Sequence, residues 1–375
     1  MRIAFMHRRL AGGGTESDLR RMAAGLAARG HELHVFCART DAEVPGVTLR
    51  RVPVVRAGRV ARLLSFALAA PRAVSRERFD VVVGFGRTPR QDVVRSGGGT
   101  HRSYLARMEA DGLRPRARGP YHRAILWLEA CAFSPDGHRR VLAVSRRVRD
   151  EIVADYGVAP GRIAVIYNGV DLVRFHPAHR ASLGRAARAA LGLPAGAPVC
   201  AAIGTGFRRK GFDLLLRLWR QAPPGGAYLV LVGGDERLVA WRREAAGLGG
   251  RVLVTGPRDD VEAVLAAADV VCVPSRQEAF GNVVLEACAA GVPVVTSRRA
   301  GAAELLDGPL ADLVVEDPTD IRALAEALAH ALAERDPLAR AARARAEALS
   351  WAAHLDGVEV FFAEVAALDR GRAAP

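Results

Sequence analysis

The sequence predicts an α/β protein built from two doubly wound domains, each a parallel sheet wrapped by helices. Three observations predict it. Short β-branched runs alternate with longer helical stretches through both halves of the chain, the pattern of βα units around a parallel sheet. A polar stretch rich in proline and glycine, "FHPAHRASLGRAARAALGLPAGAP" (175–198), interrupts the alternation midway. The length of 375 residues exceeds what one core usually holds.

In the first half the expected strands are "RIAFMH" (2–7), "ELHVFCA" (32–38), "TLRRVPV" (48–54), "DVVVGF" (80–85), "RVLAVS" (140–145) and "RIAVIYN" (162–168). Between the first two, "TESDLRRMAAGLAARG" (15–30) has a Thr/Asp opening, helical apolar spacing and a closing Gly30, as a capped helix does. The break at 175–198 holds one short alanine-rich helix and sets the domain boundary at 177/178. A second series follows: "VCAAIG" (199–204), "AYLVLVGG" (227–234), "RVLVTG" (251–256), "VVCVPS" (270–275), "VPVVTS" (292–297) and "DLVVE" (312–316). Sheets of this kind bind ligands beyond the carboxyl ends of their strands, and a cleft between two such domains is the natural site. The amphipathic "WAAHLDGVEVFFAEVAAL" (351–368) reads as a packing helix.

Composition narrows the class. With 50% hydrophobic and 25% charged residues the chain is globular and not disordered. Its formal charge of +14 favours anionic company: nucleic acid, an acidic membrane face or phosphorylated substrates. Nucleic acid is the weakest of these, because aromatics are only 6% of residues and the basic residues are spread along the chain. The five cysteines are odd in number, widely spaced and without a CxxC, so they read as small buried hydrophobes in a reducing compartment. No run approaches the roughly 18 apolar residues of a membrane span, and the apolar stretch of "MRIAFMHRRL" is too short for a signal peptide. These features predict a cytoplasmic protein and leave open a peripheral seat on an anionic membrane. No HExxH, paired-cysteine or Asp-x-Asp pattern points to a metal.

The most specific stretch is "PSRQEAFGNVVLEACAAGVPVV" (274–295). A buried strand ends, Glu278 lies in a loop, and a helix starts near Gly281 or Asn282 and stops at Gly291. Glycine at the entry lets a ligand approach, and the first amides, those of Gly281, Asn282 and Val283, face an anion there. Glu286 sits about one turn inside, where a carboxylate can hold a vicinal diol such as ribose. Singly, each glutamate also fits a solvated helix end; the Glu–x7–Glu spacing between two strands is what distinguishes them.

"AIGTGFRRKGFDLLL" (202–216) carries Lys210, the single lysine among 54 Lys+Arg residues. The string lacks the third glycine of a dinucleotide fingerprint and the Gly-Lys-Ser/Thr of a P-loop. What it offers is a cationic clamp of Arg208, Arg209 and Lys210 at a strand's carboxyl end, placed for a diphosphate. An ammonium is a compact point charge where guanidinium is a planar fork, so its retention here implies that shape matters as well as charge. At about 4 Å and an effective dielectric near 20, one such contact gives on the order of 4 kcal/mol of attraction before desolvation.

Three weaker signals remain. Gly12, Gly13 and Gly14 in "HRRLAGGGTES" (7–17) make a first turn that phosphate or sugar can approach, as in many βα folds. "VIYNGVDLVRFHP" (165–177) suggests a tight Asn168–Gly169 turn. His101, after the glycines of "SGGGTHRSYLARM" (96–108), fits either a local hydrogen bond or a place near an acceptor hydroxyl. The arginine-dense 101–127 around it, with Tyr104, Tyr121 and Trp127, reads as a solvated face, an anionic-membrane contact or a phosphorylated-acceptor site.

With these residues in view, the chain resembles the retaining glycosyltransferases of family 4, of GT-B fold, over essentially its whole length. The glycine turn at 12–14, "NGVD" (168–171), "RKG" (209–211) and Glu278–x7–Glu286 occur in the family's order. "GFRRKGFDLLL" and "QEAFGNVVLEA" are most similar to the lipopolysaccharide core glucosyltransferases. The resemblance implies a hexose, glucose first, moved from a UDP-sugar to a saccharide or lipid-linked acceptor with retention, and no cofactor beyond the donor substrate. It implies an acceptor-binding domain over 1–177, a donor-binding domain over 178–355, and a helix of about 356–375 packed back on the first. Arg209 and Lys210 would neutralise the diphosphate, Glu286 hold the ribose and Glu278 the donor sugar, beside the amides of Phe280, Gly281 and Asn282. Gly13 and Gly14 would close over the diphosphate, and His101 would lie near the acceptor. One departure stands out: many members carry the clamp's arginine where this chain has Gly204, leaving Arg208 or Arg209 to substitute. Another donor sugar or acceptor, and a non-catalytic nucleotide-sugar-binding protein, are the competing readings.

Overall fold

The computed structural model describes residues 1–10, 14–41, 43–113 and 119–370. The chain forms two compact units: Met1–Asn168 with Ala352–Pro375, and Gly169–Trp351. The first division falls earlier than position 177, and the return to the first unit comes at 352 instead of about 356.

In the first unit, β1 (Arg2–Met6), α1 (Gly14–Ala28), β2 (Glu32–Cys37), β3 (Val47–Arg51), α2 (Gly58–Val74), β4 (Val81–Gly84), β5 (Val93–Ser96), α3 (His101–Ala110), α4 (Pro120–Phe133), β6 (Arg140–Ala143), α5 (Arg146–Tyr156) and β7 (Ile163–Val165) follow one another. The sheet order is β3-β2-β1-β4-β5-β6-β7, and every pairing is parallel. The order reverses beside β1, which puts the ligand-binding crevice at the carboxyl ends of β1 and β4. Ile3, Phe5, Leu33, Val35, Val81 and Val83 point into the main core because strands covered on both faces need apolar residues on both.

The second unit has α6 (Leu183–Ala190), β8 (Val199–Ile203), α7 (Phe212–Gln221), β9 (Tyr228–Val232), α8 (Leu238–Ala246), β10 (Val252–Gly256), α9 (Val261–Ala267), β11 (Val270–Val273), α10 (Asn282–Ala289), β12 (Val294–Ser297), β13 (Val314–Val315), α11 (Ile321–Ala333) and α12 (Arg335–Glu347). Its order, β10-β9-β8-β11-β12-β13, repeats the reversal, here beside β8, again with every pair parallel. At the sheet's amino end the buried Asp269 accepts the Val199 amide at 2.9 Å, Arg188 at 2.6 Å, Arg335 at 3.0 Å and Arg180. One carboxylate thus ties α6 and the start of α12 to the sheet.

The last helix, α13 (Trp351–Arg370), belongs to the first unit from Ala352 onward. Val358, Phe361, Phe362 and Val365 join the core around Phe5, with Phe362 edge-on to Phe5 at 6.3 Å between centroids. Glu359 fixes it from outside by accepting from Arg29 and, at 2.6 Å, from His31. No described helix is long and apolar enough to cross a membrane.

Candidate active site

The site grows from the loop between β8 and α7. Gly204, Gly206 and Gly211 all have positive φ (+159°, +74° and +77°), a conformation that side chains with a Cβ rarely adopt. Gly211 has a second constraint: a Cβ there would lie 2.2 Å from the Pro274 carbonyl oxygen. The turn therefore presses against the end of β11 and carries Arg209 and Lys210 to the loop that holds Glu278.

Lys210 is only 6% exposed, and its Nζ lies 2.5 Å from Glu278 Oε2. Its stem crosses Gly204, where a Cβ would come within 2.9 Å of Lys210 Cε. A side chain at 204 would crowd the lysine stem, which would have to shift. Arg209 supplies the second cation: Nη1 donates to Glu278 Oε2 at 2.8 Å and to the Gln277 carbonyl at 3.0 Å, and Nη2 to the Thr205 carbonyl at 3.2 Å. Arg208, by contrast, is exposed.

Glu278 is fixed by its backbone. Its amide donates to the Arg299 carbonyl at 3.2 Å and its carbonyl accepts the Gly301 amide at 3.1 Å. Burial alone would raise its pKa, but the charges of Lys210 and then Arg209 outweigh burial and hold it at about 2. One carboxylate between two cations leaves the cluster with one net positive charge.

Behind Glu278 the chain enters α10 through Gly281, which caps the helix at φ +100°. A Cβ at Gly281 would stand 3.2 Å from Glu278 Cγ, so the helix entry and the carboxylate are in contact. Phe280 is buried and its carbonyl accepts the Ala302 amide at 2.8 Å. Asn282 and Val283 open the helix, whose first amides have no acceptor within it. Glu286 follows one turn later, half-buried. The second unit thus gathers Arg209, Lys210, Glu278, Gly281 and the start of α10 in one place.

The other expected residues lie in the first unit. Gly14 starts α1, is exposed, and has open space where a Cβ would be; Gly12 and Gly13 lie outside the described residues. His101 is buried at the start of α3: its amide donates to both Glu129 oxygens (2.8 and 2.9 Å), and its Nε2 is 2.9 Å from His122 Nδ1. Burial, then Arg87 and His122, lower its pKa to about 4, so the ring is neutral near pH 7. Tyr156 also donates to Glu129, at 2.6 Å. The expected turn at Asn168–Gly169 does not form; Asn168 is buried, accepting from Arg95 at 3.0 Å and donating to Asp18 at 3.2 Å.

Sequence reasoning missed Arg276 and Asp213. Arg276 is buried and forks onto Asp213 in the first turn of α7, at 2.6 and 2.9 Å. Arg276 stands two residues before Glu278 and Asp213 three after Lys210, but nothing in either string signals that they meet. Among the described residues no group of His, Cys, Asp and Glu is arranged to hold a metal ion.

Comparison with known proteins bears on this arrangement. Residues 12–174 match the family described as Glycosyltransferase Family 4, and residues 197–334 the one described as Glycosyl transferases group 1. The Lipopolysaccharide glucosyltransferase WaaG of Escherichia coli is 26% identical over 340 residues, covering 89% of this chain and 90% of that protein. The D-inositol 3-phosphate glycosyltransferase of Saccharomonospora viridis is 38% identical over 243 residues, 60% of this chain and 55% of the relative. The chain thus spans about half the length of the inositol phosphate relatives it matches. The crystal structure of WaaG superposes at a TM-score of 0.81 and 24% identity, over 95% of this chain and 98% of that one. That of HepE of Anabaena in complex with UDP gives 0.72 at 19% identity, over 97% and 100%. With a family 4 match in its first half, a group 1 match in its second and two Rossmann-like domains, the chain is a glycosyltransferase of family 4 type with the GT-B fold.

Proposed function

We propose that the protein transfers a hexose, glucose first, from a UDP-sugar to a saccharide or lipid-linked acceptor such as lipopolysaccharide core, with retention and without a metal. The observation that carries this reading is the buried Lys210–Glu278 pair, joined by Arg209 at the entry of α10. The donor diphosphate takes the positive charge of Lys210 and Arg209, with Arg208 at the exposed edge. Glu278 turns to the sugar hydroxyls beside the amides of Phe280, Gly281 and Asn282, with Val283 at the phosphate and Glu286 holding the ribose. In the first unit, neutral His101 hydrogen-bonds the acceptor.

As the anomeric C–O bond breaks, the electron pair leaves with the diphosphate. The acceptor hydroxyl bonds to the same face of the anomeric carbon, and its proton passes to the departing phosphate oxygen. Cations fixed before the reaction stabilise the charge that develops on that anion, the largest contribution a protein makes to such a step. The same reading seats the protein in the cytoplasm, peripherally on an anionic membrane face, through the arginine-rich surface around the half-exposed Trp127.

The resemblance to relatives named for D-inositol 3-phosphate favours a second reading, with a phosphorylated polyol acceptor and another donor. Release of UDP from UDP-glucose in EDTA, with core saccharide or inositol phosphate offered, separates the two. An α-linked product of UDP-glucose supports the proposal; an inverted product, dependence on added metal, or no turnover of any nucleotide sugar contradicts it.

A further inference from the structure

We infer that Arg276 is a positioning residue: its guanidinium fixes the turn that aims Lys210 and Arg209 at Glu278. The turn 204–211 takes the left-handed region at Gly206 and Gly211 and is closed within by the Lys210 amide on the Gly206 carbonyl and the Gly211 amide on the Arg208 carbonyl, each at 3.1 Å. Two side chains from outside the turn hold it. At the near end, Asp235 accepts the Phe207 amide at 2.8 Å and is itself held by Trp241 Nε1 at 3.0 Å. At the far end, Arg276 Nη1 donates to the Arg208 carbonyl at 2.6 Å and to Asp213 Oδ1 at 2.6 Å, while Nη2 takes Asp213 Oδ2 at 2.9 Å. The stretch Arg208–Arg209–Lys210 runs between Phe207, held by Asp235, and Asp213, held by Arg276.

The geometry explains why arginine stands at 276 and lysine at 210. Three acceptors from two neighbouring segments lie within reach of one planar fork, and an ammonium cannot satisfy them together. Asp213 opens α7, where a carboxylate also suits the helix dipole, so the fork joins the turn to a fixed helix end. Arg276 Nε finds no acceptor. A buried guanidinium left one donor short is poorly explained as a contribution to stability and well explained as a spacer between the cationic turn and the Glu278 loop. The Arg276 amide also donates to the Arg209 carbonyl, at 2.9 Å, a contact that survives loss of the side chain and lets the fold persist in a variant.

This inference rests on the donor-site reading only for its consequence in catalysis; the positioning itself is testable without nucleotide. Lys210 is the single lysine, so amine acylation followed by peptide mapping reports on it alone among side chains. In Arg276→Gln, acylation of Lys210, timed against a free lysine peptide in the same tube, is expected to be about tenfold faster than in the wild type. Cys288, buried in α10 of the same unit, is expected to stay closed to thiol reagents. An unchanged Lys210 rate overturns the inference. So does joint opening of Lys210 and Cys288, which would make Arg276 a general stabiliser. A wild type in which UDP fails to slow Lys210 acylation counts against the donor-site reading and leaves the Arg276 result intact.

Discussion

Lys210 and Glu278 form a buried ion pair at 2.5 Å, and the lysine stem reaches it across Gly204, where a Cβ would stand 2.9 Å from Lys210 Cε. The turn after β8 and the loop after β11 are joined through that pair, side by side at the point where the sheet order reverses. In the proposed reading, a donor diphosphate shares the positive charge that Lys210 and Arg209 direct at Glu278.

Replacing Lys210 with arginine keeps the charge and changes the shape. The longer planar group must cross Gly204 with the same clearance and meet Glu278 differently. Lys210→Arg is expected to lower kcat at saturating donor by about tenfold or more. Initial rates check this, and a kcat within twofold of wild type contradicts it.

Glu286 acts, in this account, on the ribose alone. Glu286→Ala is expected to raise the donor KM about tenfold, the value of one or two hydrogen bonds, with acceptor KM unchanged. Steady-state kinetics with each substrate varied in turn will show whether the two constants separate.

Acid is expected to destabilise the first unit through its histidines. Burial, then Arg87 and His122, hold His101 at about 4, and burial holds His354 at about 4 despite its contact with the Tyr167 carbonyl at 2.7 Å. The unfolded chain takes up these protons near the ordinary value of 6.5, well before the folded one does. The stability they confer is therefore complete above pH 6.5 and is lost as the pH falls towards about 4. Melting curves between pH 7 and 4 should slope downward, and less steeply in His354→Gln.

The carboxylate at the other end of the second sheet is expected to matter for stability and not for chemistry. Asp269→Ala leaves three arginines and a buried amide without their acceptor. A loss on the order of 3 kcal/mol follows, or roughly 6–12 °C in Tm. Calorimetry measures it, and an unchanged Tm would contradict the clasp.

What the sequence reveals depends on how local the signal is. Each strand of the second sheet was legible within about two residues, because runs such as "VCAAI" and "VVCV" are buried on both faces and so are apolar throughout. β5 was not, since only Val93 and Val94 precede its arginine and the glycines that follow. Asn168–Gly169 looked like a turn on composition alone, and the buried partners Asp18 and Arg95 that hold Asn168 lie far away in the chain. Glycines, cations and glutamates in fixed spacing pointed to Arg209, Lys210, Glu278 and Gly281, which the second unit brings together. Which arginine turns inward did not follow from spacing; the geometry puts Arg209 on Glu278 and leaves Arg208 exposed. The Arg276–Asp213 fork spans 63 positions and His101–His122 spans 21, separations at which one sequence carries no pairing signal.

The most direct test of the cationic cluster as a diphosphate site is calorimetric titration of UDP and of uridine, in EDTA, into the wild type and Lys210→Met. UDP is expected to bind about a hundredfold more weakly to the variant, with uridine unaffected. Equal UDP affinity in the two proteins would contradict it.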